Sequence, residues 1–133
     1  MQSNRKDALL TKVTALPAQN TNSDSAAIDL EVLNGASLPD ALELEISIPA
    51  TPNLADGQTT TTTIQDSADG TTFAAVAGLA ALVRTGAGGA GAAASSRRYK
   101  LPSTVRRYVR ENTACSATAG NNTAVSRTLR LLS

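Results

Sequence analysis

Histidine is missing from this chain of 133 residues, and cysteine occurs once, at Cys115. A His-based catalytic triad is therefore excluded, as are zinc sites built from histidines or cysteine pairs. A lone cysteine forms no internal disulfide and reads as a small buried apolar residue. Aromatic residues make up only 2% of the chain, with Phe73, Tyr99 and Tyr108 as the large rings. The core must then be built from Ala, Val, Leu and Ile. A buried Leu or Ile contributes about 1.5–3 kcal/mol and Ala far less. A domain of this composition is expected to be modestly stable alone and to gain from oligomerisation or docking, because a partner that binds only the folded form stabilises it. The chain lacks an aromatic platform for nucleic acid and is not basic overall, with net charge +1, so no nucleic-acid partner is expected. No apolar run is long enough to span a membrane, and the N-terminal MQSNRKDALLTKVTAL has no signal-peptide core. Synthesis in a cytoplasm without Sec export is the expectation.

The charge is unevenly placed. Residues 1–80 carry three basic and ten acidic groups; residues 81–133 carry nine basic groups and one acid, Glu111. Either strands from both halves interleave and neutralise one another, or the surface is bipolar and orients the protein on a charged partner.

The chain is organised around Arg97–Thr113, RRYKLPSTVRRYVRENT. Pro102 has no amide hydrogen, so Leu101-Pro102-Ser103 ends one strand before another begins. Val105 and Val109 share one phase of the second strand, and Arg106, Tyr108 and Arg110 share the other. Arg107 falls out of phase. Further strands follow from strict alternation: Ile28, Leu30 and Val32 against Asp29 and Glu31; Leu42, Leu44, Ile46 and Ile48 against Glu43, Glu45 and Ser47. In the last strand, Val125, Arg127, Leu129 and Leu131 share a face opposite Ser126, Thr128, Arg130 and Leu132. Five β-branched threonines, Thr59–Thr63, lead into Ile64 and the Asp69-Gly70 turn, giving a hairpin of Thr59–Asp66 with Thr71–Val76. Ala74–Arg84 is read as irregular with a short strand. The Ala/Gly-rich stretch 85–96 is expected as a flexible loop.

The chemical motifs that could be nominated fail on spacing. The glycines of 85–96 lack the Lys-Ser/Thr of a phosphate loop and the spacing of a dinucleotide fold. Asp66 and Asp69 lack the downstream acid of a calcium loop, and Glu43 and Glu45 lack the aromatic cleft of a glycosidase. No nucleophile–base pair can be named. An enzyme is not expected, nor is a cofactor or metal. Turn signals between the strands predict an all-β, jelly-roll-like two-sheet β-sandwich of about eight short antiparallel strands. Residues 1–16 form an N-terminal arm or first edge strand, and 17–133 form a single sandwich domain.

The order of these elements resembles the tailed-bacteriophage capsid cement, or decoration, proteins of small jelly-roll type. The resemblance runs from Asp7-Ala8 through Ile28-Asp29-Leu30 and Leu42–Ile48. It continues through the Gln65–Phe73 hairpin to Leu101-Pro102, Arg107-Tyr108-Val109-Arg110 and the last apolar strand. The connection through 86–94 is longer than that family implies. The resemblance implies a homo-oligomer, dimer or trimer, that binds the major capsid protein on the outer surface of the virion after synthesis in the host cytoplasm. Candidate capsid or subunit contacts are Arg97, Arg98, Lys100, Arg106 and Arg110, with the N-terminal arm as a second contact; these cations could equally solubilise a strand face. Asp69, Gly70, Phe73 and Tyr108 are expected to be structural, in the turn and the core. The Gln65–Phe73 and Arg107–Arg110 elements also look like those of discoidin-type jelly rolls, which implies the alternative of a carbohydrate- or receptor-binding module of a virion. Aromatic poverty weighs against that alternative.

Overall fold

The computed structural model describes residues 11–30, 43–102 and 104–132. Among these residues ten strands form: β1 Thr11–Ala15, β2 Asn22–Asp24, β3 Ile28–Asp29, β4 Glu43–Ile48, β5 Thr59–Ser67, β6 Ala74–Ala75, β7 Leu82–Thr85, β8 Ser95–Lys100, β9 Tyr108–Cys115 and β10 Ser126–Leu132. One sheet has the order β1-β10-β4-β8. The other has β2-β9-β5-β6, with β3 beside β2 on the edge of β9 and β7 beside β6 on the edge of β5. All pairings are antiparallel.

β2 and β3 are one strand interrupted by a bulge. Asp24 pairs with Asn112 and Ile28 with Val109, so the register slips by one residue. Ser25 sits at the slip and keeps the ladder closed: its amide donates to the Glu111 carbonyl, and its hydroxyl accepts from the Glu111 amide. With β2/β3 and β6/β7 each taken as one position, both sheets have four positions and the pairing is nested. The first strand lies beside the last, the second beside the second-last, β4 beside β8, and β5 beside β6/β7. This is the strand order of a jelly roll, as the sequence predicts.

The alternation that defines the strands also fills the core. Leu44, Ile46 and Ile48 of β4 and Leu129 and Leu131 of β10 face Ile28, Ile64 and Val109 across the sandwich, joined by Leu16, Leu30, Leu101 and Val105. Val32 and Leu42, expected to extend these faces, lie outside the described residues. The core ring is Tyr99, at 4% exposure. Phe73 and Tyr108 do not occupy the core as expected; both are half-buried. Tyr108 pairs with Ser67, in the outward phase it shares with Arg110, while its neighbour Val109 points inward.

A second small cluster, Leu54, Ala92, Cys115 and Ala119, closes one end. Cys115 is buried as expected, its Sγ donates to the Pro17 carbonyl at 3.4 Å, and burial pushes its thiol pKa up. The stretch expected as a flexible loop is tied along this end. Thr51 and Ala92 exchange two backbone hydrogen bonds of 2.8 and 3.1 Å, and the Gly89 amide donates to Asp56. Beneath them Arg84 is buried. Its guanidinium donates to Thr51 Oγ1, Pro49 O and Ala93 O at 2.9, 3.0 and 2.8 Å. Among the described residues no carboxylate partners it, and desolvation lowers its pKa.

Candidate docking surfaces

The two readings of the charge distribution are resolved by the nesting. Because early strands lie beside late ones, acids of the first half meet bases of the second. Arg110 reaches Asp24 at 3.3 Å, Arg107 reaches Asp29 at 2.8 Å, and Arg106 reaches Asp66 at 2.7 Å. Glu45 lies between Arg98 at 3.5 Å and Arg130 at 3.2 Å. Most of the described charges thus neutralise locally.

The five candidate contact residues accordingly separate into two groups. Arg106 and Arg110 are on the β9 side of the second sheet and are committed to internal partners. Arg106 donates Nε and Nη2 to Asp66 Oδ1, and its backbone amide donates to Oδ2, which fixes the entry to β9. Arg110 donates to Gln65 Oε1 at 2.9 Å and stacks on Phe73, its guanidinium carbon 3.9 Å from the ring centroid. Arg97, Arg98 and Lys100 instead lie together on β8, the edge of the first sheet, and all three are exposed. Arg97 and Lys100 have no ion-pair partner among the described residues.

Each of the three rings has a face taken by an arginine. Phe73 lies under Arg110. Tyr108 has Arg107 over it at 4.9 Å and Gly70 against it, where a β-carbon would come within 3.3 Å of the ring. Tyr99 is buried, with Arg97 at 5.0 Å. These are cation–π contacts, and they remove the stacking surface a sugar would need.

Asp69 and Gly70 form the turn as expected. Gly70 holds a φ of 80°, a conformation open to glycine at little cost. Asp69 Oδ1 accepts from the Thr72 and Thr71 amides at 3.0 and 2.9 Å and from the Ser67 hydroxyl at 2.8 Å. These bonds favour the carboxylate and lower its pKa to about 2. The depressed value means that the carboxylate's contribution to the turn is complete above the ordinary carboxylate range and is lost as pH falls through about 2. An NMR titration will place the Asp69 midpoint near that value, with the Thr71 and Thr72 amide shifts moving in step. A midpoint in the ordinary range would mean the turn is not capped this way.

An open cleft of about 220 Å³ lies between Ala18, Gln19, Gly120 and Asn121. It has no ionisable side chain, and the Gln19 side-chain Oε1 already accepts from the Gly120 amide. Among the described residues no cluster of acids or cysteine could hold a metal ion.

Sequence reasoning missed the buried ion pair. Glu111 and Arg127 both have no exposed surface and pair directly across the sandwich. Arg127 also donates to the Ala15 and Ser23 carbonyls. Thr113 donates to Glu111 Oε1 at 2.7 Å, and Thr62 and Thr113 share a 2.8 Å bond; with the Thr113 proton committed to the carboxylate, Thr62 must be that bond's donor. The signal was in the phase: Arg127 shares the inward phase of Leu129 and Leu131, and Glu111 that of Val109.

A scan against protein families finds no match, nor does a comparison with curated proteins. Among solved structures, the PBSX exported protein XepA superposes with a TM-score of 0.57 at 13% identity, over 92% of this chain and 36% of its own. This chain therefore spans about a third of that protein's length. A Bacillus endospore appendage (pilus) protein aligns over 90% of this chain and 82% of its own, at 18% identity and a TM-score of 0.40. At such identity the XepA likeness concerns the fold: this chain is an all-β protein of two antiparallel sheets.

Proposed function

We propose that this chain is a structural virion protein that docks as a homo-oligomer on the outer surface of a phage capsid and stabilises the mature shell. The observation that carries the reading is the β8 edge. With Arg84 buried on a hydroxyl and carbonyls and the other described arginines of the second half in nested ion pairs, Arg97 and Lys100 remain exposed beside Arg98. Arg97 and Lys100 fall in opposite phases of β8, so unmatched cations flank this edge on both sides, and an edge so charged suits an acidic patch on a shell, where it steers and orients docking. Repetition over a symmetric lattice turns modest contacts into tight retention. The chemical inventory supports binding over catalysis, and the exported character of XepA agrees with a role outside the cell. A carbohydrate- or receptor-binding module is the second reading, disfavoured because the chain has only three rings and an arginine takes a face of each.

Co-sedimentation tests the proposal. Titrated onto mature heads lacking it, the protein will saturate at a fixed ratio to the capsid subunit. Arg97→Glu with Lys100→Glu will weaken binding about tenfold, equivalent to about 1.4 kcal/mol, and will flatten its salt dependence. Unchanged affinity of that variant would remove the β8 contact, and a folded wild type that binds no head would leave the receptor-binding reading.

A further inference from the structure

Alternate residues of an edge strand turn their backbone N–H and C=O groups away from its one neighbour, and folded proteins interrupt or charge most such edges. Both edges of the second sheet are interrupted, one by the bulge between β2 and β3 and the other by residues 76–81 between β6 and β7. β8 is not. Its six residues, Ser95–Lys100, run without a break and pair with β4 alone among the described strands.

The charges on β8 have a pattern. Arg97 lies across from Ile46 and Tyr99 from Leu44, in the inward phase; Arg98 lies across from Glu45 and Lys100 from Glu43, in the outward phase. Cations therefore flank one edge on both faces, and all three are exposed. An inward-phase charge on an edge is a device against indiscriminate pairing. A second copy of β8 is refused: two-fold pairing centred on Arg97, Arg98 or Tyr99 opposes like charges. The same strand shows which neighbour it accepts. Along its inner side β4 sets Glu43 and Glu45 opposite Lys100 and Arg98, with apolar Leu44 between them. Arg98 reaches Glu45 at 3.5 Å, whereas Arg97 and Lys100 have no ion-pair partner among the described residues. An acidic strand fits one side of β8, and charge is left over for another.

We propose that β8 takes an extended acidic segment as an antiparallel fifth strand of the β1-β10-β4-β8 sheet. Main-chain hydrogen bonds supply the affinity, and charge sets the register. Read from its N-terminus, the segment places an acid opposite Lys100, an apolar residue opposite Tyr99, and acids opposite Arg98 and Arg97. The last acid departs from the pattern of β4 because Arg97, though in the inward phase, is exposed. Assigning the segment to the capsid subunit rests on the docking reading above; the acidic strand deepens that reading by naming the chemistry of the contact.

The test uses the full chain, isotope-labelled, and a synthetic peptide, Glu-Val-Glu-Glu-Thr-Val, blocked at both ends. So short a strand is far smaller than a protein interface, so the peptide is added at about millimolar concentration. It will slow solvent exchange of the β8 amides that point away from β4. The same peptide with Lys for each Glu will bind at least about tenfold more weakly. The acidic peptide N-methylated at the residues that bond to β8 keeps its charge and will lose the protection. Arg97→Glu with Lys100→Glu, both at exposed sites, will reverse the preference to the Lys peptide, which also shows the variant to be folded. Equal binding of the acidic and Lys peptides, full binding of the N-methylated one, or no β8 protection overturns the proposal. Phage heads separate it from the docking reading. Heads that bind the protein while the β8 amides exchange freely remove the added strand and leave docking. Heads that bind nothing, while the peptide still protects β8, remove docking and support the acidic-strand site.

Discussion

Replacing Arg127 with methionine will destabilise the domain by about 3–5 kcal/mol, the usual consequence of leaving one member of a buried ion pair without its partner. That is a large part of the roughly 5–15 kcal/mol that holds a domain folded. Glu111 would be left with no exposed surface and no countercharge, and the Ala15 and Ser23 carbonyls would lose their donor. Burial already holds the Glu111 pKa above the ordinary carboxylate value, against the attraction of Arg127. Between that ordinary value and the raised one, the folded chain keeps a proton the unfolded chain has released. Stability therefore falls as pH rises across this window and is fully present below it. Without Arg127 the window extends upward, so the variant will be weakest near neutrality and will recover toward acid. Adding Glu111→Gln will restore much of the loss at neutral pH. Urea unfolding reads this directly: the midpoint falls with an unchanged slope. A loss below about 1 kcal/mol, or one independent of pH, would mean the pair is not buried as described.

Gly91→Ala will cost about 3–4 kcal/mol. Gly91 holds a φ of 71°, which an alanine adopts at a cost of about 1–2 kcal/mol. A β-carbon there would also sit 1.9 Å from the Thr51 carbonyl oxygen. The contact can be relieved only by parting Thr51 from Ala92, with the loss of two backbone hydrogen bonds at about 1 kcal/mol each. That movement would loosen the carbonyls around Arg84. Gly88 is the control: its φ is 64°, but a β-carbon there meets nothing within 4 Å, so Gly88→Ala should cost only about 1–2 kcal/mol. Thermal denaturation of the two variants side by side makes the comparison. Equal melting temperatures would show that residues 85–96 are not seated on the Thr51 loop.

Much of the fold was legible because period-two alternation and burial are the same fact in a half-buried strand. Leu44, Ile46 and Ile48 read as one face and are one face. The nesting followed from strand count and turn signals, since few topologies close so many short strands. What escaped notice did so for physical reasons. Arg127 was placed on the apolar face by its phase, but a charge is ordinarily taken to seek water, and its partner on β9 becomes visible only when the sheets are stacked. Phe73 and Tyr108 were assigned to the core by size, while the phase of Tyr108 pointed outward. The Ala/Gly stretch has the composition of a flexible linker, yet its glycines let the backbone approach Thr51 closely, which composition cannot report. The basic residues were correctly seen as numerous. Which of them stay unmatched depends on cross-strand neighbours, so the division between Arg97 and Lys100 on one side and the paired Arg98, Arg106 and Arg110 on the other required the structure.

The pairing of Thr11 with Arg130 also sets the order of events during synthesis. A ribosome adds about 5–20 residues per second, and β1 must wait for nearly the whole chain before its neighbour exists. β4 waits for β8 and for β10, and β2 waits for β9. Only the β5 hairpin with β6 and β7 can close early from local sequence. Closing such distant pairs costs loop entropy before any contact rewards it, so folding will be slow for a domain of this size. Until β10 emerges, β1 and the inner edge of β4 lack the neighbour they pair with, exposed to other nascent chains.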